Sequence, residues 1–245
     1  MYTPISGTLY YGRMFSALFK AFKGRRDPVC PYCNNPAPIP TRKQACKICG
    51  KTISVFKGEW VKTEALPFLK QISTYATDGM GNIHTAVELW KHEKRDDAWR
   101  ALNQEIRDAS QDANNSASRF CLVYELMACQ LGAEGKHYTE ALILLFRHLY
   151  WKIVVNDQFK TDTLEELKET TKDRLSYPST NTLLQMAFQN SGIAKTEFRD
   201  LFLKIANEEL MIAKKVYKAK GIDHAPDPRE FVDIVIQACD SSEAP

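Results

Sequence analysis

The spacing of apolar residues divides the chain into a long helical part and a shorter part with strand character. From residue 62 onward, apolar residues recur every three or four positions, as on amphipathic helices, and strand patterns are few. The segment from Gly132 to Gly135 is interpreted as a loose connection between two of these helices. The pattern predicts helices at about 63–76, 83–94, 96–110, 118–131, 138–155, 180–190, 197–219 and 228–239, and a shorter one from the capping box at 163–166.

The first 60 residues follow a different pattern. Residues 51–56 alternate polar and apolar side chains and are predicted to form a strand. Residues 9–23 predict a short basic amphipathic helix whose apolar face carries Tyr11, Phe15, Leu18 and Phe22. Such a helix can lie on an anionic membrane, dock in the groove of a partner or pack against its own domain, and aromatic residues at this spacing favour packing.

Charge separates the same two parts of the chain. Residues 1–60 carry ten lysine or arginine residues against Asp27 and Glu59, whereas the remaining residues carry 23 basic and 28 acidic side chains. A basic head and an acidic body are expected to meet different partners. The predicted organisation is a basic amphipathic helix within 1–27, a small module at 28–60 and an α-helical domain at 61–245.

Composition excludes several classes of protein. Of the 245 residues, 44% are hydrophobic, which is enough to bury a core, and 11 glycines and 11 prolines are too few for a collagen-like chain. No stretch approaches the roughly 18 to 20 apolar residues of a membrane span. Arg13 and Lys20 interrupt what would be the apolar part of a secretory signal. The expected location is the cytoplasm.

Four of the seven cysteines lie within twenty residues, in the pattern C-x2-C-x12-C-x2-C. Two thiolates three residues apart can point at one ion, and two such knuckles complete a tetrahedron of sulfur around Zn²⁺. A secreted disulfide framework would spread its cysteines through a small domain, and this chain does not. The expected ligands of one metal ion are therefore Cys30, Cys33, Cys46 and Cys49.

The residues that follow each knuckle fit a zinc ribbon. Gly50 follows the second knuckle and Asn34 the first, and both residue types tolerate a positive φ there. The motif resembles a zinc ribbon, and over residues 28–60 it is similar to ribbons of uncharacterised phage and bacterial mobile-element proteins. Iron in a rubredoxin-like site is the main competing metal. Since protein sulfurs fill all four positions, the ion is expected to be structural.

Part of the helical domain resembles a tetratricopeptide hairpin. Residues 120–132 followed by 138–141 place a Leu-Gly pair on the first helix, then a tyrosine, then a small residue on the second, as that repeat does. Leu131, Gly132 and Ala141 match in type, and residues 83–110 form a weaker candidate copy. A generic helical bundle fits the same pattern. Either architecture implies a face suited to binding another protein.

The sequence favours a protein without enzymatic activity. His84, Glu88 and His92 share one face of a predicted helix and form the best candidate for a second metal or proton-transfer site, but an H-E-x-x-H motif is absent. Glu134 and His137 match one Glu-x-x-His element of di-iron bundles, but lie on a predicted turn and lack a second copy. Phosphate-loop, dinucleotide-binding and serine-elbow motifs are also absent.

The basic head suggests contact with nucleic acid. The candidate phosphate-binding residues lie in and around the second knuckle and are Arg42, Lys43, Lys47 and Lys51. Tyr32, Phe56 and Trp60 lie among them and can either stack on unpaired bases or form the small core of the ribbon. No recognition helix of a known class is visible, so sequence-specific reading of DNA or RNA is not expected.

Two functions follow from these features. The first is a non-enzymatic zinc-ribbon adaptor whose basic module contacts DNA, RNA or a nucleoprotein complex, while the helical domain binds a protein. The second is a protein–protein scaffold in which the ribbon is structural or a docking element. The first function is favoured because it includes docking on a nucleoprotein complex as well as direct contact with DNA or RNA.

Overall fold

The computed structural model describes residues 28–74, 81–112, 116–157 and 178–219, with a few single positions from Gly221 onward. The predicted N-terminal helix, the helix from 163 and most of the predicted last helix lie outside these residues. The chain divides between Lys62 and Thr63 into two compact units. We call residues 28–62 the ribbon unit and the described residues from Thr63 onward the helical unit.

The ribbon unit contains a three-stranded antiparallel sheet. Its strands are β1 (Gln44–Ala45), β2 (Thr52–Phe56) and β3 (Glu59–Lys62), in the order β1-β2-β3. The β2–β3 hairpin turns through Lys57 and Gly58, whose φ angles of 49° and 82° are those of the tight turn that suits twisted strands. Strand β2 confirms the strand predicted at 51–56.

The core of the ribbon unit is very small. Its buried members are Cys30, Cys46, Ile53 and Trp60, so half of them are cysteines. The indole N–H of Trp60 donates to the carbonyl oxygen of Pro38 at 2.7 Å, which fixes the ring inside. So few apolar residues bury too little surface to hold a unit of this size, and a cross-link or metal is normally required.

The helical unit opens with a 3₁₀ turn (Thr63–Ala65) and confirms the predicted mainly α fold. Most of its helices begin and end within three residues of the predicted boundaries. They are α1 (Leu66–Thr74), α2 (Gly81–Lys91), α3 (Arg95–Gln111), α4 (Ser116–Glu134), α5 (Tyr138–Asp157), α6 (Pro178–Ser191) and α7 (Lys195–Ala219).

Helices α4 and α5 form the centre of the helical unit. Both are apolar on nearly every side, and the α4 segment from Val123 to Gln130 is buried throughout. Helices α1 and α3 pack on α4, while α6 and α7 pack on α5. No helix in the described ranges is long and apolar enough to cross a bilayer.

Gly132 corrects one prediction. The sequence suggests a loose connection from Gly132 onward, but α4 continues to Glu134 and the chain turns only at Gly135, where φ is 69°. A Cβ atom at Gly132 would lie 2.4 to 2.6 Å from ring atoms of Phe68 on α1. Gly132 therefore serves close packing between helices, and its conformation is helical.

Candidate metal centre and basic surface

The fold brings the four predicted ligands together. The Sγ atoms of Cys30, Cys33, Cys46 and Cys49 all lie within 4.8 Å of one another. Cys30 Sγ is 3.8 Å from Cys49 Sγ, and Cys33 Sγ is 3.9 Å from Cys46 Sγ. Metal–sulfur bonds of about 2.3 Å in a tetrahedron place the sulfurs about 3.8 Å apart. The spacing therefore fits one tetrahedrally bound ion.

The two knuckles share one backbone design. The N–H of Asn34 donates to the carbonyl oxygen of Cys30, and the N–H of Gly50 donates to that of Cys46, both at 2.9 Å. Asn34 and Gly50 have φ angles of 56° and 72°, which confirms the expected positive φ after each knuckle. Each turn thus curls its amides around the sulfurs.

These amides make two thiols more acidic. The backbone N–H groups of Cys49 and Ile48 lower the pKa of the Cys46 thiol to about 6. The side chain and backbone N–H of Asn35 lower the pKa of Cys33. Hydrogen bonds to the thiolate stabilise its charge, so both residues are prepared for the form that binds metal.

The thiol of Cys49 behaves differently. The backbone N–H of Lys51 lowers its pKa, but burial and the three neighbouring cysteines outweigh that effect and raise it to about 11. Four sulfurs this close cannot all carry charge without a cation between them. The cluster therefore has the chemistry of a metal site, with every coordination position filled by protein sulfur.

The four candidate phosphate-binding residues are all exposed. Arg42 and Lys43 precede β1, while Lys47 lies within the turn of the second knuckle and Lys51 follows that turn. The ribbon unit carries six basic residues and a single carboxylate, Glu59. Its surface is therefore strongly cationic.

The three aromatic residues of the ribbon unit take different positions. Trp60 belongs to the core, so its faces are not open to a base. Tyr32 is half-buried against that core, with the ammonium groups of Lys51 and Lys62 at 4.9 and 5.8 Å from its ring centroid. Phe56 is half-buried outside the core cluster. The core interpretation is thus confirmed for Trp60.

The alternative constellation on α2 is not assembled. Helix α2 ends at Lys91, one residue before His92, whose N–H still donates to the carbonyl oxygen of Glu88 at 3.1 Å. Glu88 instead accepts a hydrogen bond from Lys91 at 2.5 Å. Among the described residues, the four cysteines alone form a cluster able to hold a metal.

Comparison with protein-family models, curated proteins and solved structures gave no match. The resemblances to mobile-element ribbons and to tetratricopeptide hairpins therefore stay predictions.

The helical unit contains a polar cluster that the sequence analysis missed. His148 on α5 is buried, and its Nδ1 lies 2.9 Å from the carbonyl oxygen of Cys121 and 3.5 Å from Cys121 Sγ. Its Nε2 lies 3.9 Å from the carboxylate of Glu125, which also accepts a hydrogen bond from Gln71 at 3.0 Å. A histidine inside the apolar run of α5 was the signal that could have revealed it.

Burial and charge act in opposite directions on His148. Burial lowers the pKa of the imidazole, but the Glu125 carboxylate and Cys121 outweigh it and raise the pKa to about 9. The ring is therefore expected to be an imidazolium at neutral pH, paired with Glu125.

We expect the helical unit to lose stability as pH rises through the pKa of His148. The folded state holds the proton with a pKa of about 9 against 6.5 in the unfolded chain, so the stabilisation is complete below pH 6.5 and disappears by about pH 9. The free energy of unfolding should fall by up to about 3 kcal/mol over this range. Urea unfolding followed by circular dichroism at several pH values measures this free energy. If the free energy of unfolding depended on pH equally in the wild type and in His148→Asn, the expectation would be contradicted.

Proposed function

We propose that the protein is a non-enzymatic adaptor. Its ribbon unit binds the phosphate backbone of nucleic acid, free or within a nucleoprotein complex, and its helical unit binds a protein partner. The cationic, exposed surface of the ribbon unit carries this proposal. The metal, which we take to be Zn²⁺, holds the two knuckles in place and leaves no coordination position for a substrate.

The charge balance of the ribbon unit supports phosphate binding. Four thiolates and one divalent ion together contribute two negative charges, and the six basic residues of the unit exceed these together with Glu59. Arg42, Lys43 and Lys47 make no ion pair with any residue that the structure describes. Their charges are therefore available to an external anion.

Features of the helical unit support the proposal that it binds a protein partner. Met211 is 61% exposed and Leu122 is 38% exposed, and the chain beyond residue 60 has more acidic than basic residues. A net negative charge does not attract nucleic acid, so the helical unit is the part of the chain that we assign to a protein partner.

We expect the metal-loaded protein to bind nucleic acid with a steep dependence on salt. Binding to labelled single-stranded DNA, duplex DNA and RNA, followed by fluorescence anisotropy, should weaken by more than tenfold between low and physiological salt, because each phosphate contact releases a counterion. Replacing Arg42, Lys43, Lys47 and Lys51 together by alanine should abolish the binding. The affinity should vary little with base sequence.

The control keeps the knuckle and its charge but changes an exposed apolar residue. Ile48 is 66% exposed and lies beside Lys47, so Ile48→Ser should leave nucleic-acid binding unchanged. If the metal-loaded protein did not bind nucleic acid even at low salt, direct contact between the ribbon unit and nucleic acid would be contradicted.

A protein-docking ribbon is the second candidate. Three large apolar residues of the ribbon unit are exposed: Ile39 by 76%, Ile48 by 66% and Val29 by 46%. Exposed isoleucines on so small a unit are typical of a surface that another protein covers. In this case Ile39→Ser and Ile48→Ser should abolish capture of a protein partner, while the four-alanine variant should retain it.

A further inference from the structure

A thiol and an imidazole meet where α4 packs on α5, in the helical unit. Cys121 Sγ lies 3.5 Å from His148 Nδ1, and His148 Nε2 lies 3.9 Å from Glu125. We propose that Cys121 is a nucleophilic thiol, activated by His148, that forms mixed disulfides with small disulfides. Thiol, imidazolium and carboxylate stand in a row, so that a positive charge lies between the sulfur and the carboxylate. The site is independent of the function proposed for the ribbon unit.

The surroundings of His148 favour its charged form. Nδ1 lies 2.9 Å from the carbonyl oxygen of Cys121, and because a carbonyl only accepts, this nitrogen carries a proton. Nε2 is buried without a hydrogen bond to any described residue and faces the Glu125 carboxylate. A lone pair there would face a negative charge, whereas an N–H is attracted to it. The imidazolium therefore places a positive charge at 3.5 Å from the sulfur.

Accessibility distinguishes Cys121 from its neighbour on the same helix. Cys121 is half-buried, and the next residue, Leu122, is 38% exposed, so a small reagent can approach this part of α4. Cys129, two turns later, is fully buried, and that burial raises the pKa of its thiol. In the described part of the helical unit, Cys121 is thus an accessible thiol beside a histidine, and Cys129 is an inaccessible thiol that serves as an internal reference.

The reaction is a thiol–disulfide exchange. The Cys121 thiol gives up its proton to solvent water, and the resulting thiolate attacks one sulfur of a small disulfide, RSSR. A bond forms between Cys121 Sγ and one RS group, the original S–S bond breaks, and RS⁻ leaves and takes up a proton. Cys121 is oxidised and the departing RS group is reduced, so the small disulfide is the oxidant.

The test exposes the metal-loaded full chain to oxidised glutathione and measures each cysteine by peptide mass spectrometry. Cys121 should be modified first, and Cys129 should remain unmodified. His148→Asn retains a side-chain N–H donor but removes the charge, and the rate at Cys121 should fall at least about tenfold. Glu125→Gln retains an oxygen that accepts the hydrogen bond from Gln71. It should also lower the rate of modification at Cys121.

Cys129 reports whether each variant is still folded. If Cys129 becomes modified in His148→Asn, the rate at Cys121 is compared between the wild type and Glu125→Gln instead, because Cys129 should stay protected in that variant. An unreactive Cys121 in the wild type would overturn the proposal. An unchanged rate at Cys121 in a variant whose Cys129 is protected would overturn it as well.

Discussion

Replacing Cys46 by alanine is expected to abolish metal binding and unfold the ribbon unit while the helical unit stays folded. Cys46 is both a candidate ligand and one of only four buried residues in the core of this unit. Structural zinc sites contribute about 10 kcal/mol or more to the folding of small modules, which far exceeds what the remaining core can supply. Native mass spectrometry measures the metal, and amide hydrogen exchange measures the folding of each unit.

The matched control is Lys47→Ala, which changes an exposed side chain next to Cys46. It should retain the ion and the slow-exchanging amides of the sheet. A Cys46→Ala protein with protected amides in β2 and β3 would contradict the expectation, because the sheet would then be stable without the metal.

Replacing Glu209 by alanine should destabilise the helical unit by about 3 kcal/mol, since it removes the buried carboxylate partner of Arg147 and leaves the indole N–H of Trp151 without its acceptor in the interior. The Glu209 side chain is completely buried and accepts hydrogen bonds from Arg147 and, at 2.5 Å, from Trp151 Nε1. Arg147 retains its second partner, Glu208, which keeps the expected loss at the lower end of the range for broken buried pairs. Urea unfolding followed by circular dichroism measures the change.

Glu208 provides the comparison within the same network. Its side chain is 48% exposed and lies 2.5 Å from Arg147. Exposed ion pairs contribute less than about 1 kcal/mol, so Glu208→Ala should have a small effect. Equal losses of stability in Glu208→Ala and Glu209→Ala would show that burial of Glu209 does not determine the strength of its pair with Arg147.

The metal cluster could be predicted from the sequence because its determinants are local. The C-x2-C spacing sets the direction of two thiolates within one turn, and the residue after each knuckle, Asn34 or Gly50, sets the backbone angle that closes it. The helices could be predicted for the same reason, since the spacing of apolar residues that defines each helix lies within its own segment.

The interactions between helices could not be predicted in this way. Arg147 and Glu209 are 62 positions apart, and Cys121 and His148 are 27 apart, so their meeting depends on how whole helices pack. Gly132 was interpreted from its local preference for turns, but the ring of Phe68 on another helix determines its role. The predicted group of His84, Glu88 and His92 likewise is not among the clusters of described residues able to hold a metal, and the Glu88 side chain pairs with Lys91.

Two neighbouring residues, Lys47 and Ile48, test most directly the proposal that cations in and around the second knuckle bind the phosphate backbone. The measurement is the salt dependence of single-stranded DNA and RNA binding for wild type, Lys47→Ala and Ile48→Ala, each with its metal content verified. The account predicts that Lys47→Ala weakens binding and lowers the slope of log affinity against log salt by about one, while Ile48→Ala changes neither. Absence of binding by the wild type, or equal effects of the two variants, would contradict it.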